Sequence, residues 1–206
     1  MKKKIFYVCT IILLLVACGR SSNDTFIPNP TDSSNNDGNT NNNNNTSSDD
    51  WLIPISEVKD GGPGKDGIPS IDSPRFIDAN DSRTDFLSDE DLVIGIVKGD
   101  VVRAYPHLIL DWHEIVNDNL NGNLITINYC PLTGTAFGWR SISNGQGSKF
   151  GVSGLLYNTN LILYDRNTGS NWSQLKLKCV NGGLIGDEPL LENIIETNWG
   201  TWSTIS

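Results

Sequence analysis

Cys130 stands in the run Asn128-Tyr129-Cys130-Pro131-Leu132-Thr133-Gly134-Thr135, between an apolar stretch and a proline turn. Its thiolate would be a nucleophile or a soft metal ligand, and exposed N–H groups or a nearby cation would lower its pKa from about 8.5. Three residues on, where a second cysteine would complete a Cys-x-x-Cys, stands Thr133. A threonine hydroxyl can donate to a thiolate but cannot resolve a mixed disulfide. The chemistry left to such a site is glutathionylation, peroxide reduction with an external thiol, or a mixed disulfide released by a partner. The plain alternative is a small buried side chain, the commonest state of a free cysteine. Cys179, in KLKCVNGG, is a free buried thiol or a disulfide partner, the latter needing a Cα separation of about 4.4–6.8 Å.

The chain holds 2 histidines, His107 and His113. On a helix they differ by about 240°, so they share no face and form no i, i+4 metal pair. His107 falls at the helix start, on the surface. His113 falls beside the apolar stripe, where a helix packed on the strand ending at Cys130 would bring the two together. A Cys130–His113 pair would activate the thiol or hold copper or another soft metal; the alternative is a histidine bonded to a neighbouring loop. A second constellation lies in YNTNLILYDRNTGSNWSQL. Tyr157, Asn158, Asp165, Arg166 and Trp172 there form either a ligand-binding wall or a hairpin whose Asp and Arg tie a turn. No P-loop, HExxH, Gly-x-Ser-x-Gly or paired-carboxylate signature occurs, so no nucleotide cofactor is implied.

The elements that must position these residues read as α+β, a mostly antiparallel sheet of roughly eight short strands with one or two helices packed on it. Residues 53–76, with 4 prolines and 4 glycines, predict an irregular segment wrapped on the surface. Leu92–Val97 and Val101–Tyr105, either side of Lys98-Gly99-Asp100, predict a hairpin. Pro106 is placed to open a helix over HLILDWHEIVND, with Leu108, Ile109, Trp112, Ile115 and Val116 on a stripe about 120° wide. NLITINYC, TAFGWRSIS, SKFGVSG and NLILYDR predict further strands. EPLLENIIETNWGTWSTI predicts a last strand and a short helix or aromatic-anchored turn.

The N-terminus is a targeting segment. Lys2, Lys3 and Lys4 precede an apolar run from Ile5 to Ala17. At about 13 residues it is too short for a bilayer core that needs roughly 20. It ends in Leu15-Val16-Ala17-Cys18, which resembles the lipobox of bacterial lipoproteins. That pattern implies a signal peptide at 1–17, lipidation of Cys18 and stable attachment through several acyl chains (palmitate among them). No acidic residue follows Cys18, which favours the outer membrane where the cell has one. Residues 18–50 are dense in Asn, Ser, Asp and Thr and predict a disordered tether, spanning about 30 Å as a flexible chain. Residues 51–206 suit one globular domain. Without the three signal lysines the chain keeps 12 basic residues against 24 acidic ones, a formal charge of −12. That balance excludes nucleic-acid binding by clustered cations.

The stretches GIPSIDSPRF, VIGIVKGDVVRAYPHLILDWHEIVND, INYCPLTGTAFGW, FGVSGLLYNTNLILYDRNTGSNWSQL and WGTWSTI resemble the domain-of-unknown-function family DUF 3179, over about residues 66–205. The resemblance implies an exported or membrane-attached protein. The family's pattern commonly places Cys where this chain has Thr133, and some members look like selenoproteins, which together imply thiol or selenol redox chemistry. Thr133 departs from that pattern and weakens a dithiol cycle. Members tend to continue past the point where this chain stops, so a further strand beyond Ser206 is an expectation.

Two functional expectations follow. One is a lipid-anchored envelope protein with a single-cysteine redox or soft-metal site at Cys130, supported by Thr133 and His113, acting with a small thiol or an envelope protein partner. The other is a non-catalytic ligand- or partner-binding envelope module in which Cys130 only packs.

Overall fold

The computed structural model describes residues 50–141 and 147–205. The signal segment, Cys18 and the tether up to residue 49 lie outside the described residues.

The two β-branched runs around Gly99 form the expected hairpin, β3 (Leu92–Lys98) and β4 (Val101–Pro106). Gly99 turns it at φ 59°, a left-handed value that glycine adopts without a Cβ clash. Helix α1 (His107–His113) starts at once, with Pro106 as the extended residue before it. It then stops early. Glu114 takes φ 55°, and strand β5 (Ile115–Leu120) replaces the rest of the predicted helix. Ile115 and Val116 are β-branched, and Asn117, Asp118 and Asn119 are weak helix formers. The neighbouring strand β6 (Asn123–Cys130) offers them a six-pair ladder, from Ile115↔Asn128 to Leu120↔Asn123, and the ladder wins. Trp112, assigned to the buried stripe by periodicity, is 77% exposed as a result, and Leu110 is the helix's one buried residue.

The described residues form thirteen strands in three sheets, more than the eight expected, but the class is α+β and the pairing antiparallel in all but one ladder. A middle sheet runs β12 (Leu190–Glu192), β7 (Thr135–Ser141), β6, β5 and β2 (Ile71–Asp72), with β2 parallel to β5. A second sheet runs β1 (Val58–Asp60), β8 (Phe150–Tyr157), β9 (Asn160–Asp165), β10 (Asn171–Ser173) and β11 (Lys178–Asn181). A third consists of β13 (Ile195–Asn198), β3 and β4, followed by helix α2 (Trp199–Trp202).

Side chains alternate across a strand, so the middle sheet has two buried faces. Ile115, Cys130 and Trp139 point from it towards Phe150, Val152, Leu161, Leu163, Trp172 and Cys179 of the second sheet. Val116, Leu120, Ile125, Ile127 and Tyr129 point the other way, against Ile94, Ile96, Tyr105 and Leu110. In the first core, Phe150 meets Trp139 and Trp172 edge to face, with ring centroids 5.3 and 5.8 Å apart. Such pairs contribute about 0.5–1.5 kcal/mol each beyond their buried area. Asn117 bolts the two sheets together, accepting from Phe150 N–H and donating to Phe150 C=O, both at 2.9 Å.

Candidate functional site

Cys130 ends β6 and pairs with Thr135 across the turn Pro131-Leu132-Thr133-Gly134. Its side chain points into the inter-sheet core and is 1% exposed, with Sγ 3.9 Å from the Thr159 carbonyl oxygen. Thr159 belongs to the β8–β9 turn, where Asn158 and Thr159 both have positive φ, 51° and 62°. That is the backbone of a primed hairpin turn, which asparagine at the first position favours. Two turns therefore meet over the thiol.

A closed polar network holds them together. Asn160 donates to the hydroxyls of Thr133 (2.9 Å) and Thr135 (3.1 Å) and to Gln174 Oε1 (2.6 Å). Gln174, fully buried, donates to Asn128 Oδ1 at 3.0 Å and to the Thr135 carbonyl at 3.2 Å. The Thr135 hydroxyl donates to Gln174 Oε1 at 2.8 Å, so in the 2.8 Å Thr133–Thr135 contact the proton comes from Thr133. Thr133 has a single hydroxyl proton, and it is spent there. It does not support the thiol as the sequence suggests.

His113 is committed elsewhere too. Its Nδ1 lies 2.7 Å from the Pro69 carbonyl oxygen, in the leading segment. The β5–β6 ladder extends by one bond, Tyr129 N–H to Glu114 C=O at 2.7 Å, so His113 follows next along the chain towards the Cys130 end of β6. Its ring nevertheless serves the loop alternative. Among the described residues no group of three or more His, Cys, Asp and Glu side chains could hold a metal ion. Cys130 and Cys179 are both free, so the disulfide alternative is not formed. Burial pushes the Cys179 thiol up to about 12. His107 is not the surface residue expected: its ring stacks on Tyr129 at 4.6 Å, and its buried Nε2 has no hydrogen bond, the Glu196 carboxylate being 3.9 Å away.

The five residues of the proposed ligand wall do not share a surface. Tyr157 and Asn158 sit at the turn end of the β8–β9 hairpin, near Cys130, while Asp165 and Arg166 lie at the far end of the six-residue β9, about 17 Å away. Asp165 is fully buried and takes the N–H groups of Asn167 and Thr168, the Thr168 hydroxyl and Trp172 Nε1. Arg166 pairs with Asp72 and Ser70. Trp172 is core. Asp165 thus ties the turn as the alternative has it, whereas Arg166 ties the hairpin to the leading segment instead.

A concave site that sequence reasoning missed lies on the other side of the middle sheet. Residues 71–87, β4, α1 and α2 line a half-open cavity of about 330 Å³, in the range of small-molecule sites. Phe76, Phe86, Leu110, Val116, Trp199 and Trp202 supply much of its apolar wall. Its polar side chains are Arg75, Thr84, Arg103 and Tyr105. Arg103 Nη1 donates to Asp118 Oδ2 at 2.6 Å, and the guanidinium lies 4.5 Å over the Phe76 ring. The Tyr105 hydroxyl donates to the same carboxylate oxygen at 2.7 Å, and burial with that neighbouring charge raises its pKa well above the usual phenol value. The only sequence signal for this site was a set of aromatic and aliphatic residues in an acidic, otherwise loop-like segment.

Residues 65–205 match the sequence model of the family described as "Protein of unknown function (DUF3179)", well over half of the chain, and the chain belongs to that family. No curated protein and no solved structure matches it.

Proposed function

We propose that this chain is a lipid-anchored cell-envelope protein whose domain binds a small, largely apolar ligand in the cavity between residues 71–87, β4, α1 and α2. The cavity is the observation that carries the reading: it is concave, mostly apolar and built on β4 and α1. Cys130 serves packing here, since its thiol is enclosed and its neighbours are bonded to one another. The one-thiol redox reading stands second. No helix among the described residues is long and apolar enough to cross a membrane, and attachment is proposed through Cys18 and its acyl chains, with the tether holding the domain off the bilayer.

Ala79 lines the cavity from an irregular segment, so Ala79→Trp fills the space without disturbing a strand. A neutral apolar fluorophore, N-phenyl-1-naphthylamine, is expected to brighten on the wild-type protein and to lose at least tenfold in affinity on the variant. Equal binding by both proteins, or binding by neither, refutes the cavity as the ligand site. Metabolic labelling with an alkynyl fatty acid tests the anchor: a label that survives Cys18→Ala refutes it.

A further inference from the structure

We infer that the cavity's ligand carries one anionic group, a carboxylate on a single medium-length apolar chain, and that Arg75 receives it. The inference rests on the ligand-binding reading above. It comes from the hydrogen-bond and ion-pair commitments of the cavity wall. Four polar side chains line the space, and none is a carboxylate. Thr84 gives its hydroxyl proton within its own turn, to the carbonyl of Asp81 at 2.8 Å. Tyr105 gives its own to Asp118. Arg103 is neutralised by the same Asp118, donates also to the Asn119 carbonyl at 3.0 Å, and stacks on Phe76. Arg75 alone has neither a hydrogen-bond nor an ion-pair partner among the described residues, although it lies in a segment rich in acids. Of the nearest acids in sequence, Asp72 pairs with Arg166 and Asp81 with Arg83, while Asp78 accepts from Asn80.

An apolar cleft with one unspent guanidinium at its wall is complementary to an amphiphile with one anionic head, because arginine meets a carboxylate through two parallel N–H···O bonds. A cationic ligand would meet Arg75 as a like charge. The volume also sets how much of the occupant is buried. At the ~30 Å³ that a water-sized group occupies in a liquid, the space of about 330 Å³ covers on the order of ten heavy atoms, all of octanoate but only part of a two-chain bilayer lipid.

The test titrates the whole chain carrying Cys18→Ala, which removes the lipid, with octanoate, octanol and octylammonium in a calorimeter. The three differ in head charge at a common chain length. Octanoate is expected to bind about tenfold or more tighter than octanol, with octylammonium weakest. Arg75→Gln is expected to bring octanoate down to octanol's affinity and to leave octanol unchanged; Arg75 is exposed and unpartnered, so the fold is untouched. Equal affinity for octanoate and octanol, or a preference for octylammonium, overturns the anionic head, and no effect of Arg75→Gln overturns its receipt by Arg75, while the cavity reading stands. Failure of all three probes to bind overturns both.

Discussion

Glu114 combines two costs that a single substitution can separate. It is the residue at which α1 stops, held at φ 55° and ψ −33°, a region that non-glycine residues rarely occupy. Its side chain is half-buried and, among the described residues, has neither an ion-pair nor a hydrogen-bond partner. Burial alone raises its carboxyl from 4.5 to about 7. The sign follows from proton binding. Between those values the folded protein holds a proton that the unfolded chain has lost, so the contribution to stability is full below about 4.5 and is lost as pH rises through 7. At 1.36 kcal/mol per pH unit this amounts to about 3 kcal/mol, and solvent access to the half-buried group reduces it to about 1–2 kcal/mol. Urea unfolding at pH 5 and pH 8 measures it. Wild-type protein should lose about 1–2 kcal/mol more than Glu114→Gln over that interval, and the variant should be the more stable of the two at pH 8. Glu114→Gly should add a further pH-independent gain of about 1 kcal/mol, because glycine removes the left-handed penalty. Identical pH dependence in wild type and Glu114→Gln would refute the buried-carboxylate reasoning.

Three further outcomes are expected. In the folded protein at pH 8, peptide mapping after iodoacetamide should find neither Cys130 nor Cys179 modified, and both modified in urea; a native adduct on Cys130 would restore the one-thiol redox site. Gln174→Ala should cost about 2–4 kcal/mol in urea unfolding, because it strands Asn160, Thr135 and Asn128 donors and acceptors in the core, and a loss under about 1 kcal/mol would count against the network. A Cβ on Gly95 would lie 2.0 Å from the Trp202 ring, so Gly95→Ala should destabilise by about 1–3 kcal/mol and weaken neutral-probe binding together; an unchanged melting temperature refutes the placement of Trp202.

The β3–β4 hairpin was legible because its signals are local: two β-branched runs and a glycine between them. The network around Cys130 was not. Asn128, Thr133, Asn160 and Gln174 lie up to 46 residues apart and meet only because two sheets stack with β6 over β9. Nothing in their spacing encodes that register. The helix boundary failed for a different reason. Leu108, Ile109, Trp112, Ile115 and Val116 satisfy a helical period, yet the same letters also read as a short helix followed by a strand, and only the ladder offered by β6 decides between them. That choice builds the cavity. Ile109 and Leu110 reach its wall from α1, and Val116 reaches it from β5. A straight helix through residue 118 would keep Val116 on the helical stripe beside Ile109, where it could not also pair with Ile127 in the middle sheet. The break at Glu114 lets one chain segment supply a helical wall and a strand wall to the same space. Glu114→Gly relaxes the backbone at that corner and should leave the cavity's affinity for a neutral probe intact so long as the α1–β5 corner keeps its angle.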